Sequence, residues 1–469
     1  MILSVPMRAL AAAVGLSILG AGCADRRADL RLVLLISVDT LRADHLGAYG
    51  HDLDLTPRID ELAEKSQIFE WAFAPTSFTL PSVASLLTGR YPQEIGIRSN
   101  RSALQTSIPT LATVLKSRGW RTAAVVSNLV LNTKSGLARG FETYDDDLPD
   151  REVTRKWPER NAEDTTRAAI GILDGFSGDR GERLFLWVHY QDPHGPYTPP
   201  DGWRDRFLAA ERARPDGDRR LPPESGHRGR GHLPGYQSVA GRRDVAFYRA
   251  GYDAEIHHLD GEVGRLLDRV RSRGFDASSL IVFTADHGES LGENDYWFAH
   301  GDRLDDVLVR IPLMIRVPSA APRLRSDVVS LVDLFPTILA RLFEDLPETP
   351  IAGRDLLAAD AMKRETEPLL ATLDSGGPRR VGIVAAGHKL VVTQAGRTSR
   401  RELYRLGAED EDLASVDPQR LEQMSDALRH RFEALHGPVG ETRRTLDERD
   451  RENLRSLGYL DDEPTDEAP

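Results

Sequence analysis

The chain has 469 residues, a formal net charge of −12 and 40% hydrophobic residues. This length and apolar content allow a large core divided among roughly two or three domains. The acidic balance argues against nucleic acid as a partner, because phosphate contacts require clustered lysine and arginine. Cys23 is the only cysteine in the chain. An intramolecular disulfide and a cysteine zinc site are therefore excluded, and no later segment has a thiolate for catalysis.

The N-terminus has the layout of a secretory signal. Arg8 precedes an apolar run, and small residues lead into Cys23 in "LGAGC", which resembles a bacterial lipoprotein signal. We therefore expect a signal peptide over 1–22, lipidation of Cys23 and a tether over 23–30; an ordinary cleaved signal is the alternative. Acylation on more than one chain would anchor the protein stably to a bacterial membrane, on the periplasmic side of the outer membrane.

Five short apolar runs bounded by turn residues predict strands. They lie at 32–39, 121–128, 184–190, 280–288 and 312–318. Their apolar residues are continuous rather than alternating, which is typical of strands buried on both faces of a parallel sheet. Helical patterns lie between them, including a long amphipathic helix over 244–274. This alternation predicts an α/β fold with helices on both faces of a mostly parallel central sheet.

Acidic and imidazole side chains follow the ends of the predicted strands. Asp39 ends the first run, Asp286 and His287 end the fourth, and His194 follows the third by a few residues. In open α/β sheets, ligands collect at the carboxyl ends of the strands. Two carboxylates and an imidazole are suitable ligands for a divalent cation, so we expect a metal site at this edge.

Thr79 lies in the motif "TLPS", just before a helix start that is rich in small residues. Its hydroxyl should lie near the positive end of that helix, where anions are favoured. A threonine hydroxyl is a weak nucleophile at neutral pH, but a bound metal can activate it. Taken alone, the motif is better explained as a simple helix cap.

The chain divides into regions of different composition. The main domain is predicted over 31–360 and contains an Arg-, Gly- and Pro-rich insertion at 201–243, which is either a surface loop or a lid over the site. A smaller α+β domain is expected over 365–440, followed by a C-terminal tail at 441–469.

Several ordered segments together resemble the sulfatase family of the alkaline phosphatase superfamily. They are "ISVDTLRADHLGAYG", "LPSVASLLTGRYP", "DPHGPYTPP", "FTADHGESLGEN" and "LVDLFPTIL". The resemblance implies an alkaline-phosphatase-like fold and a hydrolase of sulfate, phosphate or phosphonate esters. It also implies one, possibly two, divalent ions (Ca²⁺, Mn²⁺ or Zn²⁺), held by Asp39, Asp286, His287 and Thr79.

The nucleophile motif departs from that of the family. Sulfatases carry Cys-x-Pro-Ser-Arg and convert the cysteine to formylglycine, whereas this chain has Thr79 and Val83 at those positions. A formylglycine hydrate releases sulfate by collapsing to the aldehyde, but a threonine ester has no second hydroxyl. Its hydrolysis requires direct attack by water, so we expect a phosphoryl substrate in preference to a sulfuryl one.

The resemblance leaves the remaining site residues with alternative roles. Asp192, His194 and His300 could hold a second metal; we slightly favour His194 and His300 as contacts to the transferred group that protonate the leaving oxygen. Asn128 occupies the segment that gives substrate contacts in the family. The expected substrate is a small-molecule, glycan or lipid ester. The alternative is a catalytically inactive surface lipoprotein that serves as a binding module.

Two weaker candidates lie outside this set. Asp253 and His257 are four residues apart on the predicted long helix, a spacing that can hold a metal, although a solvated charged face is the simpler interpretation. His45 and His51 follow the first strand closely and are further candidates for site residues.

Overall fold

The computed structural model describes residues 29–149, 158–178, 181–222, 229–318, 320–358, 367–373, 377–435 and 440–456. The expected signal peptide and Cys23 lie outside the described residues. Within the described ranges, no helix is long and apolar enough to cross a membrane.

Short strands and helices alternate along the chain. The strands are β1 (Leu32–Val38), β2 (Gln67–Phe73), β3 (Arg121–Val126), β4 (Thr143–Asp145), β5 (Leu184–Tyr190), β6 (Ser279–Ala285), β7 (Ser290–Leu291), β8 (Trp297–Ala299), β9 (Arg310–Ile311), β10 (Leu313–Arg316), β11 (Arg323–Ser330), β12 (Leu369–Ala371), β13 (Arg379–Ala385), β14 (His388–Ala395) and β15 (Thr398–Arg405). The helices are α1 (Pro57–Ala63), α2 (Thr79–Thr88), α3 (Pro92–Ile95), α4 (Leu111–Ser117), α5 (Ala162–Asp174), α6 (Asp205–Arg212), α7 (Val245–Ser272), α8 (Asp306–Val309), α9 (Leu334–Leu342), α10 (Pro418–Glu433) and α11 (Glu448–Ser456).

The central sheet has the strand order β11-β2-β10-β6-β1-β5-β3-β4, with β9 paired to β2. β1 lies between β5 and β6 and is parallel to both, and all of its residues are buried. This arrangement confirms the predicted α/β fold with a mostly parallel sheet. It explains the continuous apolar runs, because these strands are covered on both faces.

The strand β10, within the predicted run 312–318, is antiparallel to both of its neighbours, β6 and β2. A parallel neighbour of β6 would need a crossover helix. The chain between β6 and β10 instead contains the small β7–β8 pair, the four-residue helix α8, which is too short to cross the sheet, and β9. Apolar composition predicted the strand here, but the connection sets its direction.

The helices form two groups around the sheet. The long helix α7 packs against α1, α5 and α6, and α2 packs against α4 and α9. The bounds of α7 match the predicted helix at 244–274, and Gly274 follows it with a φ of +77°, a left-handed conformation that glycine adopts without strain. α2 therefore presents its N-terminus to the sheet edge from a well-packed position.

A second, antiparallel sheet of β12 to β15 lies in the C-terminal part, with α10 packed against β13 and β14. Its buried residues share a cluster with Tyr91 and Val332 of the larger part. The region expected as a tail contains α11. In the same region, the backbone carbonyl of Thr442 accepts the N–H of Ala103, a residue of the main domain, over 2.7 Å. Residues 440–456 are therefore joined to the main domain.

Candidate active site

The polar residues that follow the central strands meet at one edge of the sheet. Asp39 follows β1, Asn128 follows β3, and Asp286 and His287 follow β6. The sheet hydrogen bonds continue to the two aspartates: the N–H of Asp39 donates to Tyr190 O over 3.0 Å, and that of Asp286 to Val38 O over 3.1 Å. The backbone of both aspartates is therefore fixed by the sheet itself.

Asp39, Asp286 and His287 form a buried group that we call the active-site cluster. One possible ligand atom from each lies within 4.8 Å of the others. His287 Nε2 is 3.8 Å from Asp39 Oδ1 and 3.7 Å from Asp286 Oδ2. These two carboxylate oxygens are buried without a hydrogen-bond partner among the described residues. Such oxygens are costly to bury unpaired, so this donor set fits a divalent cation.

Hydrogen bonds orient each ligand toward the centre of the cluster. His287 Nδ1 lies 2.9 Å from the carbonyl of Gly288, which can only accept, so Nδ1 carries the proton and Nε2 presents its lone pair. Asp286 Oδ1 accepts the N–H groups of Thr40 and His287, which leaves Oδ2 facing the cluster. Asn128 Nδ2 donates to Asp39 Oδ2 and leaves Oδ1 free.

The two carboxyl groups have opposite pKa shifts. Burial opposes ionisation of Asp39, but the imidazoles of His194, His189 and His287 outweigh it and lower its pKa below the usual range. Burial, together with the charge of Asp39, raises the pKa of Asp286 well above its usual value. A divalent cation would favour ionisation of both groups, because it supplies the missing positive charge.

Thr79 is the first residue of α2 and is fully buried. Its Oγ1 lies 3.4 Å from His287 Nε2. The residue before the helix is Phe78, which makes no capping bond. Ser82 Oγ donates to the backbone carbonyl of Asp286 over 2.6 Å and so joins α2 to the end of β6. The structure therefore brings Thr79 to the active-site cluster rather than to a capping position.

Val83, at the position of the family's arginine, is buried one turn further along α2. It belongs to the main hydrophobic core. This side chain therefore offers no positive charge to a bound anion.

His194 and His300 lie close to the cluster and to each other. The ring centroid of His300 is 4.6 Å from that of His287 and 5.2 Å from that of His194. His300 Nδ1 is 3.2 Å from Glu289 Oε1, and Tyr197 donates to the other oxygen of this carboxyl group. Burial lowers the pKa of His194 to about 4 and that of His300 to about 3. Both rings are therefore uncharged at neutral pH in the free protein.

One carboxylate oxygen of Asp192 bonds the start of helix α5. Its Oδ2 accepts the N–H of Ala162, the first residue of α5. Among the described residues, two groups of three or more carboxylate and imidazole ligands come together, and neither contains Asp192, His194 or His300. The second-metal alternative therefore gains no support from the geometry, and the leaving-group role of the two histidines stays a prediction.

Three site residues were missed by the sequence analysis. His189 is the last residue but one of the buried strand β5. Its Nε2 lies 3.9 Å from Asp39 Oδ2 and has no hydrogen-bond partner in the described part of the chain. Glu289 pairs with His300, and Tyr236 stacks on His194 with ring centroids 6.2 Å apart. An imidazole at the end of an apolar strand is the signal that could have found His189.

The predicted insertion at 201–243 contributes to the site through Tyr236. The Tyr236 hydroxyl and the Gln237 amide both donate to the carbonyl of Phe298, each over 3.0 Å. Both residues are buried. This part of the insertion is therefore packed at the edge of the site.

A model of the sulfatase family matches residues 31–342, about two thirds of the chain. The chain therefore belongs to the sulfatase family and is an ester hydrolase of that class. Members of this family typically bind a divalent metal, in agreement with the ligands of the active-site cluster.

Two characterised relatives resemble the chain over most of this length. It is 27% identical to human iduronate 2-sulfatase over 394 residues, covering 67% of this chain and 69% of the relative. It is 28% identical to a choline-sulfatase of Rhizobium meliloti (strain 1021) over 344 residues, covering 65% of this chain and 66% of the relative. The phosphonate monoester hydrolase of Agrobacterium radiobacter shares the fold, with a TM-score of 0.67, 21% identity and coverage of 89% of this chain and all of that one.

Proposed function

We propose that this protein is a metal-dependent hydrolase that cleaves a phosphate or phosphonate ester by using Thr79 as the nucleophile. The observation that carries the proposal is the position of the Thr79 hydroxyl, 3.4 Å from His287 Nε2. This nitrogen faces the two unpartnered carboxylate oxygens of Asp39 and Asp286. A hydroxyl held beside a cation site is a usable nucleophile.

Asp39, Asp286, His287 and the Thr79 hydroxyl would hold the divalent cation. When bound, the cation lowers the pKa of a neighbouring hydroxyl and offsets the negative charge of the transferred group. The protein itself supplies the fixed positions of the ligands, through the sheet bonds of the aspartates and the bond from Ser82 to Asp286.

The reaction has two displacements at the same atom. In the first, Thr79 Oγ1 loses its proton and bonds to phosphorus, the bond to the leaving oxygen breaks, and that oxygen takes up a proton. In the second, a water oxygen loses a proton and bonds to phosphorus, and Thr79 Oγ1 leaves and regains a proton. The uncharged rings of His194 and His300 can take up the released protons and return them to the leaving oxygens, because the centroid of the His300 ring lies 4.6 Å from that of His287 and 5.2 Å from that of His194.

The choice of a phosphoryl over a sulfuryl substrate follows from the residue at position 79. Threonine has a single hydroxyl, so it lacks the route by which a formylglycine hydrate releases sulfate. The fold is compatible with this choice, because the phosphonate monoester hydrolase of Agrobacterium radiobacter shares it. The similarity to a choline-sulfatase supports a small-molecule ester as the substrate. The similarity to iduronate 2-sulfatase is also consistent with a glycan ester.

The experiment compares wild type with Thr79→Ala and Thr79→Ser on aryl phosphate monoesters, phosphodiesters, phosphonate monoesters and sulfates, each with Ca²⁺, Mn²⁺ or Zn²⁺. We expect the highest kcat/KM on a phosphorus ester. Thr79→Ala should lose at least about 10³-fold in kcat, whereas the hydroxyl of Thr79→Ser should preserve measurable turnover.

Full activity of Thr79→Ala would contradict the nucleophile assignment. Preferred turnover of sulfate esters would contradict the substrate choice alone. A wild-type protein that binds no divalent ion and hydrolyses none of these substrates would instead support the binding-module alternative.

A further inference from the structure

A second group of metal-type ligands lies outside the active site. His45, His51 and Asp253 each offer one ligand atom, and these atoms lie within 4.8 Å of one another. His45 ends a short turn after β1, His51 lies in the loop that follows, and Asp253 is in the middle of α7. Asp253 is fully buried, and His45 is 8% exposed. Two of the three residues are therefore buried, and His51 is partly exposed.

One nitrogen of each imidazole, in His45 and in His51, makes a hydrogen bond that orients the ring. His45 Nδ1 is 2.9 Å from Asp253 Oδ1, a carboxylate–histidine pair of the kind that orients metal ligands. His51 Nδ1 donates to the carbonyl of Asp44 over 2.9 Å, so its Nε2 presents a lone pair. His51 Nε2 and Asp253 Oδ2 are both buried and, among the described residues, have no hydrogen-bond partner. Two ligand atoms are therefore buried and unsatisfied.

A second carboxylate, from the insertion, faces the same cavity as the two histidines. Glu211, in α6, is 1% exposed and lines the same cavity of about 410 Å³ as His45 and His51. Its Oε1 pairs with Arg214 over 2.8 Å, while its Oε2 is buried with no partner in the described ranges. Burial and then the charge of Asp253 raise the pKa of Glu211. The nearby positive charges of Arg214 and Arg249 do not outweigh these two effects on the pKa of Glu211.

The arginines of this cavity do not make it an anion site. Each of the three is already paired with a carboxylate. The pairs are Arg42 with Asp44, Arg214 with Glu211, and Arg249 with Asp216. A cation, rather than an anion, would satisfy the remaining unpartnered oxygens and nitrogen.

The group is separate from the active-site cluster but packs close to its backbone. The Tyr252 hydroxyl donates to the carbonyl of Thr40, the residue after Asp39, over 2.7 Å. The Tyr252 ring meets His45 edge-on, with centroids 5.1 Å apart. Tyr252 therefore contacts the second group with its ring and the active-site loop with its hydroxyl.

We propose that His45, His51 and Asp253 bind a structural Zn²⁺ ion. Glu211 lines the same cavity but lies outside the group whose ligand atoms are within 4.8 Å of one another, and we propose that it joins as the fourth ligand and so ties the 201–243 insertion to the main domain. We call these four residues the insertion cluster. Two neutral imidazoles and two carboxylates are a common donor set for zinc, and the two negative charges balance the ion. The ligands come from the segment after β1, from α7 and from α6 of the insertion. A bound ion therefore holds three separate segments together and stabilises the folded chain.

The test uses the full chain with its catalytic site disabled. In an Asp39→Asn/Asp286→Asn background, the protein is loaded with Zn²⁺, dialysed and analysed for metal by mass spectrometry. We expect about one zinc per chain to remain. Co²⁺ substitution should give the intense visible absorption of a four-coordinate site. Adding His51→Ala to this background should remove the retained zinc and this absorption.

His388→Ala is the matched control, because His388 Nδ1 also bonds only a backbone carbonyl, that of Ala386, over 2.9 Å. It should keep the zinc. His51 is partly exposed, so His51→Ala should fold, and its metal-free circular dichroism should match that of the background. The proposal is overturned if the background holds no zinc, or if His51→Ala retains as much zinc as His388→Ala.

Discussion

The active-site cluster and the insertion cluster both begin just after β1, yet their ligands are held in different ways. Asp39 and Asp286 continue the hydrogen bonding of the central sheet, so their positions are fixed without an ion. The insertion cluster combines a turn, a loop, the middle of α7 and the short helix α6. Its geometry depends on packing between segments. The difference indicates that a catalytic cation enters a preformed site, whereas the second ion would itself order part of the fold.

The largest expected effect separates the clusters by activity. Asp286→Asn should lower kcat/KM by at least about 10³-fold, because it removes a cation ligand. The amide oxygen can still accept the N–H groups of Thr40 and His287, so the fold should persist. Asp253→Asn is the matched change in the insertion cluster, and it should lose far less activity. Equal losses of kcat/KM in the two variants, with circular dichroism unchanged, would contradict the assignment of catalysis to the active-site cluster alone.

The next effect separates the clusters by stability. Removing metal with a chelator should lower the melting temperature, because an ion at a hundredfold excess over its Kd contributes about 2.7 kcal/mol. If the insertion cluster orders its segment, metal removal should also speed proteolysis within 201–243. In His51→Ala, the rate of proteolysis within 201–243 should be the same with and without the chelator. A chelator effect that persists in His51→Ala would assign the stabilisation to the active-site cluster.

A smaller effect tests the preformed geometry of the active site. Asn128→Ala removes the amide that orients Asp39 and should lower activity by about 10- to 100-fold. Asn132→Ala is a matched control, because both asparagines also accept a backbone N–H two residues later, at Val130 and Lys134. Steady-state kinetics of the two variants should therefore differ. Similar activities would mean that the sheet alone positions Asp39.

The sequence could predict the active-site cluster because its members follow strands that the apolar runs reveal. Once those strands are parallel, Asp39, Asp286 and His287 must meet at one edge. Thr79 needed the family resemblance as well, because "TLPS" alone fits a cap. His189 was missed because it lies within an apolar run that indicates only core.

The insertion cluster was beyond sequence reasoning for a physical reason. The spacing of Asp253 and His257 on α7 suggested that the two could act together, but His257 bonds the carbonyl of Leu55. Asp253 bonds His45, 208 residues earlier in the chain. Helical spacing shows which residues share a face, but packing decides what that face meets.

The strands β2 and β11 were missed for a related reason. Their sequences, "QIFEWAF" and "RLRSDVVS", mix polar and apolar residues, and both strands are only partly buried. They lie toward one side of the sheet, where coverage on both faces is incomplete. Continuous apolarity therefore identified the centre of the sheet and not this side.

The attachment of residues 440–456 has a practical consequence for anyone shortening this protein. Glu441 accepts the Ser102 hydroxyl over 2.9 Å, and Thr442 accepts the N–H of Ala103. The same loop carries Asn100, whose side chain accepts the N–H of Leu80, next to Thr79, the proposed nucleophile. A truncation chosen to trim an apparently dispensable end would thus loosen the support of Thr79, and crystallisation or expression variants should keep this end intact.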